Sequence, residues 1–218
     1  MASEIDEVIL ERLSHTRLRS YLIAVDGDLS YALLLYLWNG QVSAAFLEVL
    51  SYVEIVVRNS WHRHLQNASK EKTGSSIWHE GFRVQLNDYS QRDLKQARER
   101  LKARGKEGNS DQVVAELNFG FWRFLVAKQY RTTLWPLAGK YAFPNIDPSQ
   151  IQQLSTVMGR LHDLRNRIAH HEPIHMRNLE RDLADCLWVI GGVCLTTRQW
   201  VESNSRVVGV LQERPDDK

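Results

Sequence analysis

A chain of 218 residues with 43% hydrophobic residues is long enough to bury a sizeable core without disulfides or metal staples, and it reads as one domain over 1–218. Its formal net charge of +2 permits contact with nucleic acid without arguing for it, since dedicated binders are more lopsided. Two cysteines, Cys186 and Cys194, sit eight apart in a helical pattern, roughly 12 Å along the axis and beyond disulfide reach, so both are expected as reduced core thiols.

The chain opens without a basic, signal-like segment, which suggests a cytoplasmic protein. Two uncharged stretches stand out. Leu29 to Leu47 has the length of a membrane span but is interrupted by Asn39-Gly40-Gln41, and Cys186 to Thr197 is too short, so neither is expected to cross a membrane.

In chain order, Ser3 with Asp6 is a helix start, and Ile5, Val8, Ile9 and Leu13 continue at helical spacing toward Tyr21. Gly27-Asp28 breaks the chain. A second helix is expected from about Leu29 to Trp38, a turn at Asn39-Gly40, and a long helix over about 42–65. In that helix Phe46, Val49, Leu50, Val53, Val57 and Trp61 form one stripe, as a buried helix requires. Glu54 lies inside the stripe, with Arg58 at the i,i+4 position and Asn59 next.

Residues 66–90 read as a loop region with a short apolar piece around Ile77 to Phe82. From Ser90 to Arg104 a helix carries the most basic surface of the chain, including Arg98, Lys102 and Arg104. It is either a solvated helix or an arm that contacts RNA phosphates. Ser110-Asp111 starts another helix. Phe119 to Leu125 is apolar on nearly all sides, which fits deep core or a subunit interface. A short helix over 131–142, a last one from about Asn178 to Trp200 and a flexible tail over about 203–218 complete the list. With no strand alternation and no internal repeat, the fold class is all-α.

The richest stretch closes the helix expected over 148–170. Asp147, Pro148 and Gln150 supply a cap, a first-turn proline and the reciprocal capping partner. Ile151, Leu154, Val157, Met158, Leu161, Leu164 and Ile168 share one face, and Arg165 falls among them. A guanidinium there is costly to desolvate without a carboxylate or phosphate, so Glu54 is expected to reach Arg165 directly or through water. They form either a structural ion pair or a pair in which Glu54 orients Arg165 for a ligand. His170 lies five residues on, about 140° around the helix from Arg165; Pro173 is expected to unwind the last turn and swing His170 back. A zinc site from His170, His171, Glu172 and His175 is a rival, weakened by Pro173 between the imidazoles.

The string Leu164-Arg165-Asn166-Arg167-Ile168-Ala169-His170-His171-Glu172-Pro173-Ile174 resembles the hallmark of Abi-like (abortive infection) proteins within the HEPN superfamily, whose Arg-Asn-x-x-x-His motif it contains. Leu35 to Asn39 with Ser43, Val53-Glu54 through Arg58-Asn59, and Phe119 to Trp122 with Tyr130 and Leu134-Trp135 resemble further blocks of that family in order. The resemblance implies a HEPN-like helical bundle with additional helices, acting in phage defence or as a toxin. It also implies a metal-independent, cofactor-free endoribonuclease with a composite site in a homodimer. Arg165 would bind phosphate, Asn166 would position, and His170 would transfer protons, with Glu54, Arg58, Asn59 and His171 in support. RNA would be the partner, with room for an inhibitory antitoxin of protein or RNA. A non-catalytic RNA-binding or protein-interaction module is the alternative. RNA carries its own nucleophile, the 2′-OH, so Arg and His suffice in principle, leaving a 2′,3′-cyclic phosphate and a 5′-OH.

Overall fold

The computed structural model describes residues 3–81, 86–106 and 109–215; among these there are twelve α-helices and no strand, so the chain is all-α. They are α1 (Glu4–Leu13), α2 (His15–Ala24), α3 (Leu29–Thr73), α4 (Trp78–Gly81), α5 (Asp88–Ala103), α6 (Ser110–Ala115), α7 (Phe119–Phe124), α8 (Lys140–Ala142), α9 (Ile151–Ala169), α10 (Leu179–Val193), α11 (Leu195–Asn204) and α12 (Val207–Gln212).

The axis of the molecule is α3, 45 residues or about 68 Å long. The turn expected at Asn39-Gly40 does not form, and the helix also outlasts Leu65. Leu35, Trp38, Val42, Ala45, Phe46 and Val49 stay in phase across the dipeptide and are all buried. Each large apolar side chain buried there stabilises by about 1.5–3 kcal/mol, against roughly 1 kcal/mol for a helical glycine. By length and composition α3 also meets the measure of a membrane span; one face of it is buried in the bundle, while Leu34, Leu37 and Leu47 are exposed. Helices α2, α9, α10 and α12 pack along α3, and α7 and α10 pack on α9.

Other departures have local causes. The first expected helix is two, because Ser14 takes φ 77° and serves both: its N–H donates to the Leu10 carbonyl and its hydroxyl accepts from the Arg17 N–H. The loop expected over 66–90 keeps the end of α3, then α4 and the start of α5, while Phe82 lies outside the described residues. Residues 131–142 contain a π-turn at Trp135–Gly139 followed by α8. There a side chain at position 139 would sit 2.5 Å from the Trp135 ring, so glycine permits the approach of Trp135 and Trp61.

The last expected helix is interrupted at Cys194, whose extended backbone separates α10 from α11. The tail expected from about residue 203 instead carries α12. Val207 and Val210 are buried against α3, the Trp38 indole N–H donates to the Val210 carbonyl at 2.7 Å, and Arg206 pairs with Glu48. The Phe119 to Leu125 segment is core of the chain itself: Phe119, Phe121, Trp122 and Leu125 are buried and only Phe124 has its ring well exposed.

Candidate functional site

The helix α9 begins as its sequence dictates, from the Asp147/Gln150 capping box and a 3₁₀ turn at Pro148–Gln150. Its apolar stripe faces the core, with Leu154, Val157, Met158, Leu161, Leu164 and Ile168 all buried. Arg165 is half-buried between them. It makes no hydrogen bond or ion pair with any described residue, and none of its nitrogens is sealed from solvent.

Glu54 on α3 is also half-buried, and no contact within 4.0 Å joins it to Arg165, so of the two expected links, direct or through water, the direct one does not form. The two still sense each other. Burial pushes the Glu54 carboxyl up from its ordinary value, while the positive charges of Arg165 and then Arg58 pull it back. Arg58 itself donates from Nε to the neighbouring Asn59 Oδ1 at 3.3 Å.

At its far end α9 closes at Ala169, beside the expected end at residue 170. His170 keeps a right-handed backbone at φ −95°, ψ 11°, and the reversal falls on His171, at φ 56°. The His171 N–H donates to the Ile168 carbonyl at 3.0 Å and the Glu172 N–H to the Arg167 carbonyl at 2.7 Å, the paired bonds of a Schellman cap. A histidine thus occupies the left-handed position that glycine fills at least cost. With the His170 backbone still right-handed, ideal helical spacing sets its side chain about 140° around the axis from that of Arg165. His170 is exposed; His171, also exposed, lines a cleft of about 330 Å³ with Arg17, Tyr21, Tyr36 and Ser43.

After Pro173 the chain is pinned to α3 by Asn39. Its buried Oδ1 accepts the N–H groups of Ile174 and His175 at 2.8 and 3.0 Å. This is the role of the polar pair that looks like a turn in the sequence: it satisfies two buried donors where the chain leaves α9. His175 is buried, stacked on Tyr21 at 4.6 Å, and held below the usual histidine range by burial and the Arg214 charge. It therefore points into the core, apart from the exposed His170, His171 and Glu172. Among the described residues no group of three or more His, Cys, Asp or Glu side chains converges on one point.

The structure adds two residues with no assigned part in the sequence reading. His162, one turn before Asn166, has both ring nitrogens 3.5 Å from the Asn166 amide nitrogen, and its ring lies 6.2 Å from that of Phe119. Gly120 makes this possible, because a side chain there would meet the His162 ring at 3.2 Å. Arg123 on α7 approaches from the other side, and burial, then Arg123, hold the imidazole below its ordinary value against the pull of Asp163. The only sequence signal was His162 at i−4 from the motif asparagine; Arg123 arrives by tertiary packing of α7 on α9.

The basic helix α5 is mostly committed. Arg98 donates to His79 Nδ1 at 2.7 Å, and Arg100 and Arg104 both grip Glu116, Arg104 at 2.6 Å. Lys102 is exposed beside a cleft that it shares with Ile77, Glu80 and Lys106. No family model, no curated protein and no solved structure matches this chain.

Proposed function

We propose that the chain is a metal-independent endoribonuclease of the HEPN type, acting in the cytoplasm in abortive-infection defence or as a toxin. The observation that carries this reading is Arg165: a half-buried guanidinium, open to solvent, with no carboxylate in contact, at the head of Arg-Asn-x-x-x-His. A fork-shaped cation left free in that setting suits a phosphate. Asn166 follows it, and His170 is exposed, an imidazole that can accept or give a proton.

Cleavage needs the 2′-OH proton removed and the 5′-oxygen protonated on opposite sides of the phosphate. With Arg165 and His170 turned apart in one chain, the reading includes a two-fold dimer that brings both copies to one phosphate. The same divergence favours a second reading, a non-catalytic RNA-binding or protein-interaction module.

Purified protein incubated with mixed RNAs in EDTA, beside His170→Ala, separates them. Cleavage to 2′,3′-cyclic phosphate ends, lost in the variant and on substrates with a 2′-deoxy sugar at the cut, is the expected result. RNA binding without cleavage that survives His170→Ala selects the module. In a mixed dimer of wild-type and His170→Ala chains, nearly complete loss of cleavage supports a shared site, whereas half-activity rejects it.

A further inference from the structure

A cleft of about 1000 Å³ lies between the start of α5, α7, the 3₁₀ turn at Lys128–Tyr130 and α9, away from the exposed end of the motif helix. Its volume is that of small-ligand sites, about 300–1,000 Å³. Two of its aromatic rings are turned outward. Tyr89 is 68% exposed and Phe124 44%, although Phe119, Phe121 and Trp122 on the same helix as Phe124 are buried.

Each ring already carries a planar cation. The Arg92 guanidinium lies 5.2 Å from the Tyr89 centroid and that of Arg123 lies 4.5 Å from the Phe124 centroid. Rings with accessible faces that accept a flat, delocalised group accept a nucleobase in the same way. Polar groups are at hand for the rest of such a ligand. Lys128 is exposed on the rim, and the Asn118 side chain uses its Oδ1 to cap α7 at the Phe121 N–H, which leaves its amide N–H groups for a base edge. Among the described lining residues Asp93 is the only carboxylate, set against the cations Arg92 and Lys128, so the formal charge of the lining does not repel a phosphate.

On the α9 wall the cleft is closed by His162, the residue in contact with Asn166. That wall of the cleft is therefore one helical turn from the motif asparagine.

From this arrangement we infer that the cleft between α5, α7 and α9 binds a nucleotide, its base stacked on Tyr89 and Phe124 and its phosphate held by Lys128 and Arg92. The same chemistry can come from a free mononucleotide or from one unit of a single-stranded RNA. Only the second source rests on the ribonuclease reading.

The test uses the full chain carrying His170→Ala, so that nothing is cut. GMP, AMP, ribose 5-phosphate and a 2′-O-methylated RNA hexamer are titrated by calorimetry. GMP or AMP should bind at least tenfold more tightly than ribose 5-phosphate. Tyr89→Ala and Phe124→Ala should each weaken binding about tenfold, the usual scale of one stacked base; Lys128→Glu should weaken it as well. Because Tyr89 stands largely in solvent, its truncation should leave thermal unfolding unchanged; Phe124 is only partly exposed, so Tyr89→Ala and Lys128→Glu report independently of any loss of packing at Phe124.

A hexamer that binds more than tenfold tighter than the mononucleotide, and that alone is weakened by Arg165→Ala, identifies RNA as the source. Equal affinities with no effect of Arg165→Ala identify a free nucleotide. No saturable binding of any probe at millimolar concentration, or binding unchanged when both rings are removed together, overturns the proposal. Failure of the wild-type chain to cut RNA while nucleotide binding persists rejects the ribonuclease reading alone.

Discussion

Arg160 and Arg165 stand five residues apart on α9 and meet different fates. Arg160 closes a fork on Asp185 of α10, with Nε and Nη2 at 2.8 and 2.9 Å from the two carboxylate oxygens. Just beyond the motif, Arg177 does the same with the fully buried Asp182, at 2.8 and 3.0 Å. Arg165 has Glu54 within electrostatic reach, and its side chain makes no hydrogen bond or ion pair with a described residue. Where this chain uses arginine to hold α10 in place, it supplies an aspartate in bidentate geometry. Where the motif stands it supplies a glutamate whose ionisation burial opposes. The difference separates structural cations from an available one, and it can be tested by breaking each kind.

The largest effect should come from Asp182→Ala, which strands Arg177 beside a sealed site. Removing one partner of a buried pair costs about 3–5 kcal/mol. Urea unfolding should show that loss, and a change under about 1 kcal/mol, the scale of an exposed pair, would put the Arg177 fork with surface ion pairs.

A second committed arginine gives a pH signature. Arg98 can only donate, so His79 Nδ1 accepts, and the proton on Nε2 is directed at Ser110 Oγ, 3.3 Å away. The imidazole is thus fixed neutral, and burial, then the charges of Arg98 and His62, hold its pKa down to about 4. A depressed histidine contributes stability that is present above the unfolded value of 6.5 and is lost as pH falls through about 4. The loss should approach about 3 kcal/mol over that window. His79→Gln should flatten the acid limb of stability against pH; an unchanged limb would show that His79 is not its source.

How far these distinctions could be read from the sequence depends on whether their cause is local. The Ser3/Asp6 and Asp147/Gln150 capping boxes, the stripe of α9 and the apolar stripe of α3 follow from neighbours within a few residues, and they lie where the spacing puts them. Asn39-Gly40 carries a turn signature that long-range packing overrides, and its amide finds its partners at Ile174 and His175, far along the chain. Motif residues Arg165, Asn166 and His170 were legible as a string. Their relation was not, because it turns on the backbone of His171 and on the absence of a contact from Glu54. His162 and Arg123 could not be paired from sequence, since only the approach of α7 at Gly120 makes them neighbours.

A smaller effect on stability is expected where the cation is free. Arg165→Ala removes no hydrogen bond and no contact ion pair, so unfolding should change by no more than about 0.5 kcal/mol, while RNA cleavage should be abolished. A loss comparable to that of Asp182→Ala would place Arg165 with the structural arginines and remove the main support for the proposed site.

The smallest effect, and the one that sharpens the comparison most, concerns Glu54. Its folded pKa is raised by burial, so its contribution to stability is present below the ordinary glutamate value of 4.5 and is lost as pH rises through the raised folded value. Glu54→Gln keeps the shape and removes the charge; the variant should match the wild type in acid and become slightly more stable than it at neutral pH. Arg165 attracts the ionised carboxylate and so offsets part of the burial cost, which means that the gain from Glu54→Gln should grow in an Arg165→Ala background. A double-mutant cycle of the two substitutions by urea unfolding should therefore give a favourable coupling of about 0.5 kcal/mol at pH 7 that vanishes at pH 3, where Glu54 is protonated in every state. A coupling of several kcal/mol would mean that the two groups close into a contact pair in solution, and the contrast between Arg160 and Arg165 would fail at its centre.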